Sequence, residues 1–543
     1  MFRLRSRSNS ASLPSRAFRP SVEALEDRVV PAHLGALATT TAAPTFAPPS
    51  LLANVPDTAQ EPGDMHLAEK AWIQANVLDP ALQAQALAAF NDDFAIGRLD
   101  MLDLFGIARL DDVVTATELA DLRALVANPD VVHMPDYVAN LAGKVVNGDM
   151  GNSTYQFVQV YSGTGTGYVR TSYLGNLDVD SPSWQLDQLV DKWFRGVDAP
   201  TTGFRYAYDG NDSLFGAGIQ YTDIDQGQLG DCYFLAALGD LANQSPQTIQ
   251  NLFLDNQDGT YTVRFGSATG ADYVTVDRWL PITAKNTFAY ANDGQAFNSG
   301  SNSLWVPLLE KAYAQVNHSG WLGRADSSDS YAALENGFSG DAMRQLTGLT
   351  ASRDITLTAM ESQTQLQNAV SAGDLVCLNT PKKPNTTYIV DGIKLVREHV
   401  YSVLGYDAST GLYTVFNPWN VNKSGAAVEF QVNFWQIQRM FVSWDRGDNP
   451  ENVIDGSRAA DYVTTQTPLF GAADVSKTSV AEHAAPAQTD NLKPGQAMTS
   501  GLRAPGPNAV DANVTSLFFA EAHQRARHAF DPLADDLLVI LGL

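Results

Sequence analysis

At 543 residues the chain exceeds what one hydrophobic core usually organises, and its length predicts two to four structural units. A formal charge of −25 excludes the basic surface that a phosphate backbone requires, so nucleic acid is not an expected partner. The two cysteines, Cys232 and Cys377, exclude a disulfide scaffold and a zinc site of several thiolates, and no apolar run is long enough for a membrane span.

The first stretch, to about residue 65, is rich in Ala, Pro, Ser and Thr and opens with Arg3, Arg5, Arg7, Arg16 and Arg19. It lacks the apolar segment of an ordinary secretory signal and reads as disordered or processed. Within it, Leu25-Glu26-Asp27-Arg28-Val29-Val30-Pro31-Ala32 resembles a short motif near the N-termini of many planctomycete proteins thought to be exported. That likeness implies a bacterial chain sent to the envelope or beyond; without it, the cytoplasm is the default.

Residues 66–198 read as a helical region. Thr115-Ala116-Thr117-Glu118 has capping-box spacing, with Leu119, Leu122, Leu125 and Val126 on one face and Pro129 beyond the end. Val138, Leu141 and Val145 suggest a second helix closed by Asn147-Gly148. A third follows Ser181-Pro182, with Leu186, Leu189, Val190, Trp193 and Phe194 as its stripe before Gly196. These faces carry packing, and the region is assigned no chemistry.

From 199 to 450 the texture is mixed. Asp258-Gly259 precedes Tyr261 to Phe265, which turns through Gly266 to Gly270 into Tyr273 to Asp277, a hairpin signal. Tyr401 to Tyr406 and Tyr413 to Phe416 flank Ser409-Thr410-Gly411 and predict another. Residues 451–543 read as a largely disordered tail with a terminal helix over about 514–530.

Chemistry concentrates in the segment from Asp223 to Leu238. A glycine-punctuated loop, Gln226-Gly227-Gln228-Leu229-Gly230-Asp231, runs into the apolar Tyr233-Phe234-Leu235-Ala236-Ala237-Leu238, with Cys232 at the junction. A helix apolar on every side is buried, and its N-terminus presents unpaired N–H groups and a positive dipole end. Both favour a thiolate, which predicts a depressed Cys232 pKa. Gln226 is placed to aim its amide at an oxyanion beside the Cys232 N–H. Of eight histidines, His318 and His399 remain once those in tail-like or helical sequence are set aside. His399 stands at the start of a strand whose hairpin partner ends in Asn417-Pro418-Trp419. Antiparallel pairing brings such ends together. Cys232, His399 and Asn417 then supply nucleophile, base and orienting carboxamide, with Trp419 shielding the last contact. Cys377, within Asp374-Leu375-Val376-Cys377-Leu378, reads as a buried strand residue.

These segments, together with Leu304-Trp305-Val306-Pro307-Leu308-Leu309-Glu310-Lys311-Ala312-Tyr313-Ala314, Val276-Asp277 with Leu280-Pro281, and Leu346-Thr347-Gly348, resemble in order the motifs of the calpain protease core. The similarity spans about residues 200 to 445. It implies an α+β fold: a two-lobed, papain-like core preceded by the helical region and flanked by disordered tails. It further implies a thiol protease that hydrolyses peptide bonds of protein or peptide substrates through Cys232, His399, Asn417 and Gln226. A catalytically silent module for protein binding or surface attachment is the alternative, and transglutaminase-type acyl transfer is disfavoured by Asn417 where aspartate is expected. The chain departs from the family pattern at Tyr233 (tryptophan), Glu398 (glycine) and Asn420 (glycine). Of the family's calcium sites, Asp223 with carbonyls near Gly216 and Gly218 matches part of the first. Its acidic partner is missing from Asn317-His318-Ser319-Gly320-Trp321, and Asn422-Lys423-Ser424 stands where the second site expects acid. No cofactor requirement is expected.

Overall fold

The computed structural model describes residues 66–453, apart from 268–269, 358–359, 383–386 and 422–424. The export-like motif, the C-terminal tail and its predicted helix lie outside the described residues.

Five helices come first: α1 (Leu67–Asn76), α2 (Pro80–Asp93), α3 (Arg98–Ala108), α4 (Ala116–Ala127) and α5 (Asp136–Val146). Helix α4 starts where its capping residues require. Glu118 N–H donates to Thr115 Oγ1 at 3.2 Å, and Thr115 N–H donates to Glu118 Oε2 at 2.8 Å. The helical reading of 66–198 is corrected after α5. Strands β1 (Thr154–Val160) and β2 (Thr166–Tyr173) form an antiparallel hairpin before α6 (Ser183–Trp193). The cause is local: Tyr155, Phe157, Val158 and Val160 favour extended backbone, and Gly163 and Gly165 take φ of 78° and 62° in the turn.

The chain continues through β3 (Arg205–Tyr208), α7 (Cys232–Gln244), α8 (Pro246–Gln250), β4 (Phe253–Asp255), β5 (Tyr261–Ser267), β6 (Gly270–Val276) and β7 (Trp279–Ile282). Helices α9 (Trp305–His318) and α10 (Ser339–Thr347) complete a helix-rich lobe. Then follow β8 (Ala351–Thr356), α11 (Met360–Ser371), β9 (Leu375–Asn379), β10 (Thr387–Val390), β11 (Ile393–Val396), β12 (Val400–Asp407), β13 (Leu412–Phe416), β14 (Glu429–Val432), α12 (Phe434–Met440) and β15 (Ser443–Gly447). Six of these strands make one antiparallel sheet in the order β14-β13-β12-β9-β15-β8. A second sheet runs β1-β2-β3-β7, so the N-terminal hairpin extends a sheet of the following lobe. Both hairpins expected between 258 and 416 form, as β5–β6 and β12–β13.

One hydrophobic core runs from Ile73 through Phe194 and on to Tyr206, Phe234, Trp305 and Leu346, passing residue 198 without a break. A smaller core lies against the six-stranded sheet and contains Val376, Leu378, Tyr401, Val403, Tyr413 and Trp444. Buried ion pairs reinforce the larger one: Lys144 Nζ lies 2.7 Å from Asp272 and 4.4 Å from the Trp193 ring, and Lys311 Nζ lies 2.5 Å from Asp277. Among the described residues, no helix is long and apolar enough to cross a membrane.

Candidate active site

The loop before α7 is held by backbone bonds on both sides. Asp225 N–H donates to Asn292 O at 2.6 Å, Gln228 N–H to Ala289 O at 3.0 Å, and Gln226 N–H to Pro418 O at 2.9 Å. The last bond ties the loop to the Asn417-Pro418-Trp419 turn. Gly227 is required here, because a Cβ would lie 2.4 Å from Tyr290 O. Helix α7 enters the interior at once: every residue from Tyr233 to Ala242 is buried, while Cys232 at its first position stays partly exposed. Ser402 Oγ donates to Ala236 O at 2.7 Å and the Asp240 carboxylate accepts Val376 N–H, so the helix is bonded to β12 and β9. Tyr233 fills the place of the family's tryptophan with its ring buried. Its hydroxyl donates to Leu334 O at 3.1 Å and accepts from Arg324 at 3.0 Å.

The Val400 backbone N–H acts to lower the Cys232 thiol pKa, which places the residue after His399 near the thiol. His399 is buried, and Thr380 clamps its backbone: His399 N–H donates to Thr380 Oγ1 at 2.9 Å, and the Thr380 N–H and hydroxyl both donate to His399 O at 3.0 Å. Its Nε2 lies 2.8 Å from Asn417 Oδ1. That oxygen also accepts Trp419 N–H at 3.0 Å, and Asn417 Nδ2 donates to Ala427 O at 3.2 Å. The network therefore orients the carboxamide, makes His399 Nε2 the donor, and leaves the lone pair on Nδ1. Trp419 covers the pair with its ring centroid 5.1 Å from the imidazole. The structure brings His399, Asn417 and Trp419 into contact, ties Gln226 to the adjoining Pro418, and sets Cys232 near Val400, while His318 lies in α9.

Two departures from the family pattern share one backbone cause. Glu398 has φ 52° and Asn420 has φ 46°, the left-handed region that glycine enters freely. Asparagine tolerates it well, and Asn420 Nδ2 is also anchored to Thr222 O at 2.6 Å. Glutamate beside the imidazole carries the greater strain, on the order of 1 kcal/mol.

Electrostatics correct one expectation. Burial, and then the neighbouring Asp231, push the Cys232 thiol up to about 12, against the lowering effect of the Val400, Tyr233 and Cys232 backbone N–H groups. The expected depression assumed the helix end alone, whereas lobe packing strips solvent from the sulfur. Gln226 is buried, with Nε2 donating to Leu229 O at 2.7 Å and 3.5 Å from Asp231 Oδ1. The sequence reading missed the pair beneath it. Asp231 and Glu310 are both buried and act on each other's carboxyl, and burial raises both, Asp231 to about 7. An acid midway along the wholly buried α9 was the available signal.

Asp223 spends one carboxylate oxygen on neighbouring donors. Its Oδ2 accepts Trp305 Nε1–H at 2.9 Å and Gln220 N–H at 3.1 Å, and burial raises its pKa. Among the described residues, the groups of three His, Cys, Asp or Glu close enough to share a metal do not include Asp223. Calcium takes roughly six to eight oxygens with enough negative charge among them. The segment at 422–424 lies outside the described residues.

Residues 189–439 match the pattern of the calpain family cysteine proteases. The rice calpain-type cysteine protease ADL1 is 31% identical over 257 residues, covering 45% of this chain and 11% of the relative. Calpain-13 of the rat is 32% identical over 215 residues, covering 37% of this chain and 30% of the relative, and human calpain-9 is 27% identical over 219. The chain therefore spans only a small part of the relatives' own length. With the ordered motifs, the two-core α+β fold and these matches, the chain carries a calpain-like cysteine protease domain.

Proposed function

We propose that this domain is a cysteine endopeptidase working through Cys232, His399 and Asn417. The carrying observation is the His399 Nε2–Asn417 Oδ1 contact of 2.8 Å, on a histidine whose next residue, Val400, acts through its backbone N–H on the Cys232 thiol. His399 Nδ1 takes the thiol proton as the sulfur attacks the peptide carbonyl, and the resulting oxyanion is held by the Cys232 N–H and by the Gln226 amide once it turns away from Leu229 O and Asp231. As the C–N bond breaks, Nδ1–H protonates the leaving amine and a thioester remains. Water then attacks the thioester, its proton passing through Nδ1 back to the sulfur, and the acid product leaves. The formal charge of −25 favours basic protein segments as substrates.

A raised thiol pKa supports a neutral thiol–imidazole pair at rest, with the proton moving during attack rather than before it. Cys232-dependent thiolate absorbance near 240 nm should then be absent at pH 7; a signal there that Cys232→Ser removes would refute this. Gln226→Ala should lower kcat by about 10²-fold with little change in KM, the usual cost of one oxyanion donor. Hydrolysis of a casein-derived peptide reads both constants. Because Asp223 Oδ2 already accepts from Trp305 and Gln220, activity should be the same in excess EGTA as in millimolar calcium. Activity that appears only with calcium would overturn that part.

A further inference from the structure

Outside the catalytic cleft, two groups of metal-ligating side chains stand out. In one, Asp198, His318 and Asp329 converge in the interior. There the Lys192 ammonium already occupies the cation position, 2.5 Å from Asp198 Oδ2 and 3.6 Å from Asp329 Oδ2. The other group is His66, Glu69 and His133, in the helical region to which no chemistry was assigned.

We propose that His66, Glu69 and His133 form a site for a divalent cation of the zinc class, which fastens the first helix to the body of the protein. One ligand atom from each of the three side chains lies within 4.8 Å of the others. His66 Nδ1 is 3.5 Å from Glu69 Oε1, one helical turn along. Two imidazoles and a carboxylate are the donor set that zinc accepts, leaving one position for water. The His133 ring is anchored as metal-bound imidazoles usually are: its Nδ1 lies 2.8 Å from Phe94 O, and donating there leaves Nε2 as the lone pair. His66 is stacked on Phe94 at 4.5 Å and meets the His133 ring edge-on at 5.3 Å, so both rings are held. The nearest ammonium, Lys70, lies 5.5 Å over the Phe94 ring instead of between the ligands.

The placement supplies a reason for such a fastener. His66 precedes α1, Glu69 is in its first turn, Phe94 follows α2, and His133 lies in the turn between α4 and α5. Helix α1 buries only Ile73 completely, and His66 makes no side-chain cap to its N-terminus. Apolar packing therefore holds this helix lightly. His66, Phe94 and His133 all take left-handed φ, of 70°, 64° and 47°, which residues with a Cβ keep only where their surroundings compensate. A metal bridging the three segments would provide that compensation.

The test uses the full chain carrying Cys232→Ala, which removes the catalytic thiol as a competing zinc ligand. After chelator treatment and dialysis, zinc chloride is titrated by calorimetry and thermal melts are recorded with and without it. One equivalent should bind at pH 7.5 and raise the melting temperature. His133→Ala and Glu69→Gln, both at the surface, should keep the metal-free melting temperature yet weaken binding by about 100-fold or more. Absence of binding, binding undiminished in His133→Ala, or an equal shift with magnesium would each overturn the proposal. None of these readouts depends on peptidase activity.

Discussion

Replacing Cys232 by alanine is expected to lower kcat for peptide hydrolysis by about 10⁴-fold or more while leaving the fold intact. Cys232 stands at the first position of α7, at the edge of the core rather than within it, so losing its one sulfur atom leaves the helix packing in place. The buried residues behind it, from Tyr233 onward, keep their contacts. An epoxysuccinyl thiol inhibitor should label the native chain once, at Cys232, and should leave the alanine variant unlabelled, as read by intact mass. Asn417→Ala should retain labelling but slow it, because His399 Nε2–H then loses its acceptor and the ring its orientation. Hydrolysis that persists in Cys232→Ala would remove the proposed nucleophile. A folded native chain that is never labelled would favour a silent module.

The second large effect is expected from Glu310→Gln, as a change in pH dependence. Asp231 and Glu310 are buried, interacting carboxyls, and burial raises both above their ordinary values, Asp231 to about 7. Unfolded, both would titrate near pH 4. Between about pH 4 and 7 the folded chain therefore holds more protons than the unfolded one. Stability contributed by the pair is full below about pH 4 and is lost as pH rises through 7, by an amount on the order of a few kcal/mol. Glutamine keeps the shape and an acceptor for the Ala291 N–H, which lies 3.2 Å from Glu310 Oε2, and it offers Asp231 a permanent donor. The fall in melting temperature from pH 5 to pH 8 should then be clearly shallower in the variant than in the native chain. Asp198, raised to about 7, and His318, lowered to about 4, add their own pH dependence, which cancels in the comparison. Equal slopes would show that Glu310 and Asp231 share no proton. A shallower slope should be accompanied by retention of activity at pH 8, since Asp231 adjoins the nucleophile.

Legibility followed the range of the interaction. The α4 capping box, the β5–β6 and β12–β13 hairpins and the entry of a polar loop into an apolar helix at Cys232 are set by neighbours a few residues apart, and all were readable. The β1–β2 hairpin was equally local, with Gly163 and Gly165 at its turn, but the amphipathic stripes on either side of it drew the whole of 66–198 into one helical reading. The positive φ at Glu398 and Asn420 could not be seen from residue identity, because both hold conformations more usual for glycine.

By itself the sequence determined the order of Cys232, His399 and Asn417 and the elements that carry them, since spacing and periodicity are properties of the chain. Only the tertiary structure decided their electrostatic state. The raised Cys232 thiol, the raised carboxyls of Asp231 and Glu310, and the Asp223–Trp305 hydrogen bond all depend on how much water packing removes and which groups face each other across the core. Solvation and through-space charge are set by residues far apart in the chain, here α7 against β12 and α9, and no local pattern records them.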